Sequence, residues 1–243
     1  MPNWVQNEIV LCGEEKDIEK VLEFVKSEES DFDFNKLVPM PSELNISSSS
    51  DNDLAIICFL SNKLTKPFYQ LEKKYLAYVT NMFNPNWAKT IYDERLPERK
   101  EDFDKLYELG KVCCTNITKY GHIDWYDWCR ENWGTKWNAC EVYISDNVIA
   151  FQTAWSVPDP IFEAFAYLCD KHNVTFKGSY ADEDRGHNSG YIDSEYGITE
   201  YEDNSHAALS AYIELWGESD CIGEDENGNL VQYDCDTCPN KCW

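Results

Sequence analysis

The first 25 residues switch between two hydrophobic periods, and that switch limits the chain to a small set of folds. Trp4, Val5, Gln6, Asn7, Glu8, Ile9, Val10 and Leu11 alternate apolar with polar, which predicts a strand stopped by Gly13. Ile18, Val21, Leu22 and Val25 then fall at i, i+3, i+4 and i+7, a single apolar stripe on a helix that leaves Asp17, Glu19, Lys20 and Glu23 to solvent. A strand followed at once by a one-sided helix must bury that stripe on a sheet face, so an α+β layer is expected. With 43% apolar and 14% aromatic residues in 243, such a core can be filled, and wholesale disorder is excluded.

Further along, Cys140-Glu141-Val142-Tyr143-Ile144 and Val148-Ile149-Ala150-Phe151-Gln152-Thr153 flank Ser145-Asp146-Asn147, a hairpin signal. Pro158 and Pro160 lead into a helix with Ile161, Phe162, Phe165, Leu168 and Cys169 on its buried face, ending near Asn173. Val174–Tyr180 and Tyr191–Tyr196 read as strands. Strand, helix, two strands, helix, strand is the order of a ferredoxin-like split βαβ sandwich, which we place at residues 1–41 and 124–196. Residues 42–123 read as a helical insertion. They hold the apolar run Leu54–Leu60, then Leu64, Phe68, Leu71, Tyr75 and Val79 at helical spacing. A second helix is expected around Glu98–Leu109, with Phe103, Leu106 and Tyr107 inward and Gly110 as its C-terminal cap. Residues 197–243 read as a Cys-rich, acidic C-terminal extension.

Four ordered motifs carry a resemblance. Met1-Pro2-Asn3-Trp4, then Phe32-Asp33-Phe34 through Val38-Pro39-Met40-Pro41, then Asn132-Trp133-Gly134-Thr135-Lys136-Trp137-Asn138-Ala139, and Thr153-Ala154-Trp155-Ser156 resemble the YubB-type ferredoxin-like family of plasmid and phage proteins. The resemblance implies the same α+β sandwich and an origin on a mobile element, and it brings no transferable activity. Trp125, Trp128, Trp133, Trp137 and Trp155 crowd into 31 residues. We expect these indoles to fill a core rather than to stack nucleobases, because only Arg130 and Lys136 lie nearby to hold phosphates.

No basic stretch followed by an apolar one opens the chain, and no apolar run approaches the roughly 20 residues of a spanning helix, so a cytoplasmic protein of a bacterial host, with no membrane partner, is expected. Eleven cysteines then read as thiols or metal ligands rather than as a disulfide framework. Cys221, Cys235, Cys238 and Cys242 have the spacing of four thiolates around a structural zinc, whose ligation would supply folding energy to a tail poor in apolar residues. Cys113, Cys114, His122 and Cys129 match no common ligand pattern, and core packing is the expectation for them.

Charge bears most directly on function. Lys and Arg number 21 against 45 Asp and Glu, a net charge of −24. Residues 182–243 hold 16 of the acidic side chains against two basic ones, Arg185 and Lys241. Such a surface repels polyanions, so direct nucleic-acid binding is disfavoured and a basic protein partner is favoured. The runs Asp182-Glu183-Asp184, Glu200-x-Glu202-Asp203 and Glu224-Asp225-Glu226 are candidate contacts that imitate the phosphate rows of DNA. The expected function is a non-catalytic, DNA-mimic inhibitor of a nucleic-acid-binding host-defence protein, of the anti-CRISPR type, with a Cas9-like effector as target by analogy. No phosphate-binding loop, nucleophile elbow or zinc-protease His pair is present. The alternatives are a metal-dependent hydrolase using clustered carboxylates, and a nucleic-acid-binding module using the Trp cluster.

Overall fold

The computed structural model describes residues 2–63 and 100–233. In chain order these form β1 (Trp4–Cys12), α1 (Glu15–Val25), α2 (Phe34–Leu37), a 3-10 turn (Ser42–Leu44), α3 (Ser50–Lys63), α4 (Lys100–Tyr120) and α5 (Trp125–Asn132). β2 (Cys140–Ser145), β3 (Val148–Ala154), α6 (Asp159–Lys171), β4 (Thr175–Asp182), β5 (Ser189–Asp193), β6 (Gly197–Glu200), α7 (His206–Trp216), β7 (Ile222–Glu224) and β8 (Leu230–Gln232) follow. The chain divides into two compact units, Met1–Met40 with Cys129–Trp243, and Pro41–Trp128.

The first unit is built on an antiparallel six-stranded sheet of order β2-β3-β1-β4-β5-β6. Its first four strands, with α1 and α6 as crossovers, have the ferredoxin-like split βαβ arrangement expected from the order of elements. β1 is central: Val5 to Val10 pair with Thr153 to Val148 on one side and with Asp182 to Lys177 on the other. It is the expected strand and its burial alternates, with Val5, Ile9 and Leu11 inward together with the polar Asn7, whereas the apolar Val10 is exposed. On that face Phe151 of β3 and Phe176 of β4 meet Phe162 of α6 with ring centroids 6.0 Å apart in each pair, while Phe165 lies 5.1 Å from Phe176. Phe32 completes the layer, 5.0 Å from Phe151 and 5.3 Å from Phe165. All five predicted core residues of α6 are buried.

The sheet does not stop at residue 196. Gly197–Glu200 pairs with β5 as an edge strand, so the segment assigned to an extension begins inside the sheet. α7 packs against β4, β5 and β1. Its Ser205 cap accepts from the Ala208 N–H at 3.1 Å, and the Trp216 indole N–H donates to the Ala181 carbonyl at 2.9 Å. Ala181 and Ser189 alternate out of the first core and are both 1% exposed, buried on the side that α7 covers. Residues 182–233 are thus largely part of the folded unit.

In the second unit α3 and α4 pack together, and Leu54–Phe59 lies within α3. Ile56, Ile57, Phe59, Cys113, Cys114 and Ile123 form its apolar cluster. Gly110 is no cap: α4 runs on to Tyr120, and a Cβ at Gly110 would fall on the Ala55 carbonyl of α3. Close approach of two helices, not chain reversal, explains this glycine. The stripe from Leu64 to Val79 lies outside the described residues.

Two stability predictions follow from these packings. Gly110→Ala should destabilise the helical unit by about 1–3 kcal/mol, the usual cost of overpacking, although alanine is the better helix former by about 1 kcal/mol. A denaturant midpoint that rises instead would mean the crossing can relax. Trp133 is 4% exposed, sits edge-on to Phe34 at 5.8 Å and donates its indole N–H to the Val38 carbonyl at 2.8 Å. Trp133→Ala should cost about 3–5 kcal/mol in urea unfolding, and an unchanged curve would refute its place in the core.

Candidate functional site

One end of the sheet gathers most of the residues singled out for function. Asp182 closes β4, and although it heads an acidic run it is only 5% exposed. Its carboxylate accepts from the Asp184 N–H at 2.9 Å, from Asn188 Nδ2 at 2.9 Å and from Asn3 Nδ2 at 3.3 Å. Asp182 therefore organises the 183–188 loop and cannot present its charge to a partner, which corrects its assignment as a contact residue. Glu183 and Asp184 are exposed, as are Glu200, Glu202, Asp203, Glu224 and Glu226. Asp225 also turns to internal use: its carboxylate accepts from the N–H groups of Asn227 at 2.8 Å and Asn229 at 2.9 Å, closing the β7–β8 hairpin. Those bonds, first the Asn229 N–H, hold its carboxyl below the usual aspartate value.

His187 joins two of the runs. Its Nδ1 lies 2.9 Å from Asp203 Oδ2, and that hydrogen bond raises its pKa above the ordinary histidine value, with Asp184 and Asp182 adding to the effect. Arg185 Nε donates to Ser219 Oγ at 2.8 Å, and the Leu230 N–H donates to His206 Nδ1 at 3.2 Å, tying the loop and the hairpin to the ends of α7. An open cleft of about 460 Å³ there is lined by His187, Asn204, Val231, Gln232 and Tyr233. Runs lying some 20–40 residues apart in the sequence thus meet at one corner of the unit.

The thiols divide differently. Cys221 is 5% exposed and its carbonyl accepts from the Tyr233 N–H at 2.8 Å, while Cys235, Cys238 and Cys242 lie outside the described residues. Cys113 is fully buried, and desolvation first of all pushes its pKa up to about 12, the state of a core thiol rather than a ready ligand. Among the described residues no group of three or more His, Cys, Asp and Glu is arranged to hold a metal. In the helical unit, burial and the nearby Asp124 raise the Asp53 pKa to about 6. Asn52 Nδ2 donates to Asp124 at 2.9 Å, so this pair is bound into the packing of α3.

The Trp residues fall into both units, and the arrangement that sequence reading missed lies at the same sheet end. Lys136 Nζ stands 4.3 Å from the Trp137 ring centroid and 4.9 Å from that of Trp155, and Trp4 lies 5.9 Å from Trp137. Trp155 is 40% exposed with φ of +73°. Nothing in residue type or spacing announces a left-handed tryptophan.

The fold and this corner define a ferredoxin-like domain with an elaborated sheet end. Residues 132–227 match a family described as the ferredoxin-like domain in Api92-like protein, so that part of the chain is similar to those proteins and the similarity runs past residue 196, through β6, α7 and β7. A crystal structure of the protein api92 from Yersinia pseudotuberculosis aligns with 83% of this chain and 99% of its own at 11% identity, with a TM-score of 0.36. No curated protein matches the chain. Among the described residues no helix is long and apolar enough to cross a membrane.

The His187–Asp203 contact is checked by proton NMR. The His187 resonances should titrate above about 6.5, and Asp203→Asn should bring the midpoint down. Because the folded pKa is the higher one, whatever stability the contact contributes is complete below the unfolded value and is lost as pH rises through the folded one. A midpoint indifferent to Asp203→Asn would remove the contact.

Proposed function

We propose that this chain is a non-catalytic binding protein whose acidic corner occupies the basic, nucleic-acid-binding surface of a protein partner. The observation that supports this reading is the convergence of the Glu183–Asp184, Glu202–Asp203 and Glu224–Glu226 runs around His187 and the β7–β8 hairpin, with their outward carboxylates exposed. Duplex DNA carries a charge every 1.7 Å or so, and a scaffold that holds carboxylates close together in fixed positions competes for the same cations. Attraction over a Debye length, about 10 Å at ordinary salt, also speeds the encounter. The YubB-type motifs point to a phage or plasmid origin, where an inhibitor of host defence has a use. A guide-loaded Cas9-type effector is the target chosen by analogy, because its heteroduplex channel is strongly positive.

The same reading gives the end of the chain a structural zinc at Cys221, Cys235, Cys238 and Cys242. In its support, Cys221 is buried and the Tyr233 N–H is bonded to its carbonyl, so the first of the four cysteines lies next to the last described residue of the chain.

Competition between this protein and duplex DNA for the guide-loaded effector, at low and at high ionic strength, tests the function. Competition should be strong at low salt and fade as salt rises, and Glu183→Gln with Asp184→Asn should weaken it through slower association. No competition at low salt removes the Cas9-type target, and retention of DNA by this protein alone removes the mimic reading altogether. Elemental analysis of protein purified without added metal should find zinc equimolar with the chain and lose it in Cys235→Ser with Cys238→Ser. Metal-free protein would end the zinc assignment.

A further inference from the structure

The turn that closes the β7–β8 hairpin holds the chain's single Asn-Gly dipeptide, Asn227-Gly228. Both residues are exposed. Gly228 takes a φ of +80°, and nothing stands within 4 Å of where a Cβ would be. An asparagine followed by glycine carries its own reagent, because the next backbone nitrogen can close a five-membered ring on the side-chain carbonyl when no Cβ screens the approach. Two bonds oppose that closure in the folded turn. The Gly228 N–H donates to the Asp225 carbonyl at 3.0 Å, which occupies the attacking nitrogen, and the Asn227 N–H donates to the Asp225 carboxylate at 2.8 Å. The hairpin that maintains them is slight: Ile222 to Glu224 pair with Gln232 to Leu230 as a two-stranded sheet of their own. Such a short ribbon is marginal, and its tip opens at far less cost than global unfolding. Each opening frees the Gly228 nitrogen, and glycine rotates into the reactive arrangement without a steric penalty. The other asparagines of this corner are placed differently. Asn188 precedes Ser189, and its Nδ2 is gripped by Asp182 at 2.9 Å and by the Trp155 carbonyl at 3.1 Å. Asn204 precedes Ser205, the cap of α7.

We propose that Asn227 is a self-modification site, deamidated by the Gly228 backbone nitrogen. That nitrogen gives up its proton and bonds to Asn227 Cγ; the Cγ–Nδ2 bond breaks, and the amide nitrogen leaves with the proton as ammonia. Water then opens the succinimide. Attack at Cγ returns an ordinary aspartate, whereas attack at the main-chain carbonyl leaves isoaspartate, in which the backbone runs through Cβ and Cγ. Either product adds a carboxylate directly after Glu224-Asp225-Glu226, on a chain whose net charge is already −24. Isoaspartate also lengthens the turn by one carbon, so the Asp225 carboxylate can no longer hold the Asn227 and Asn229 N–H groups together. The hairpin ages into a more acidic and looser form, and this chemistry is independent of what the acidic corner binds.

Peptide mass spectrometry of purified protein incubated at physiological temperature reads the modification. The peptide holding Asn227 should gain about 1 Da as NH2 is exchanged for OH and become a substrate for protein isoaspartyl methyltransferase, while the peptides holding Asn188 and Asn204 lag behind it. Gly228→Ala should slow the gain about tenfold, because its Cβ hinders the approach of the nitrogen. That substitution strains a turn of positive φ, so Asn227→Gln, whose longer side chain cannot close the five-membered ring, should abolish the gain with Gly228 kept. In aged protein the hairpin amides should exchange faster, whereas Asn227→Asp, which has the charge without the extra carbon, should keep their protection. No gain at Asn227 over a period in which a synthetic peptide of residues 222–232 deamidates overturns the proposal, because the folded turn then blocks ring closure. A gain undiminished in Gly228→Ala overturns it as well.

Discussion

The carboxylate of Asp182 is the interaction on which the functional end of this protein depends. β4 ends at that residue, and the chain must turn there, cross to β5 and leave backbone donors without strand partners. A single acceptor group takes the Asp184 N–H and the side-chain amides of Asn188 and Asn3, so it joins the start of β1, the end of β4 and the loop between β4 and β5. Asn188 reaches on to the Trp155 carbonyl at the end of β3. Three adjacent strand ends are thereby held by one buried charge, whose loss would leave several donors unpaired at once. The exposed Glu183 and Asp184 owe their fixed positions to the aspartate that does not face outward.

This arrangement makes the sheet end more than the rim of a ferredoxin-like domain. The four-strand arrangement needs only β2, β3, β1 and β4; β5, β6 and α7 widen it on one side and cover part of the second face. The widening brings the loop before α7 and the β7–β8 hairpin to the corner formed by the 183–188 loop, through Asp203 on His187 and through Leu230 on His206. Acidic runs dispersed through the C-terminal quarter become neighbours because of this addition. His187, when protonated, offsets part of their repulsion through Asp203, and Arg185 adds a fixed positive charge in the same loop.

Much of the sandwich is legible in the chain because burial there follows simple periods. The stripe of α6 maps onto one face and its predicted buried residues are buried, and the predicted strand β1 buries every second residue from Val5 to Leu11, the polar Asn7 among them. β6 is too short, at four residues, for alternation to register. Charge obscures α7, since the acidic surroundings suggest an extension although Ser205 and the spacing of Ala208, Leu209, Tyr212, Ile213 and Trp216 carry a helix signal. Gly110 has the residue type of a cap, and only the crossing with α3 reveals it as a contact. At the site, an aspartate heading Asp-Glu-Asp is indistinguishable by composition from its neighbours. Its burial depends on Asn3, 179 positions away, and on Asn188, whose side chains no local pattern connects with it.

Hydrogen exchange of Asp182→Asn beside the unaltered protein tests this account most directly. The amides of residues 183–188 should lose protection and the Trp155 amide should exchange faster, while the amides pairing β1 with β3 around Ile9 and Ile149 keep theirs. Protection that is unchanged throughout the 183–188 loop would contradict the central place given to Asp182, and with it the claim that one buried carboxylate holds the acidic corner in shape.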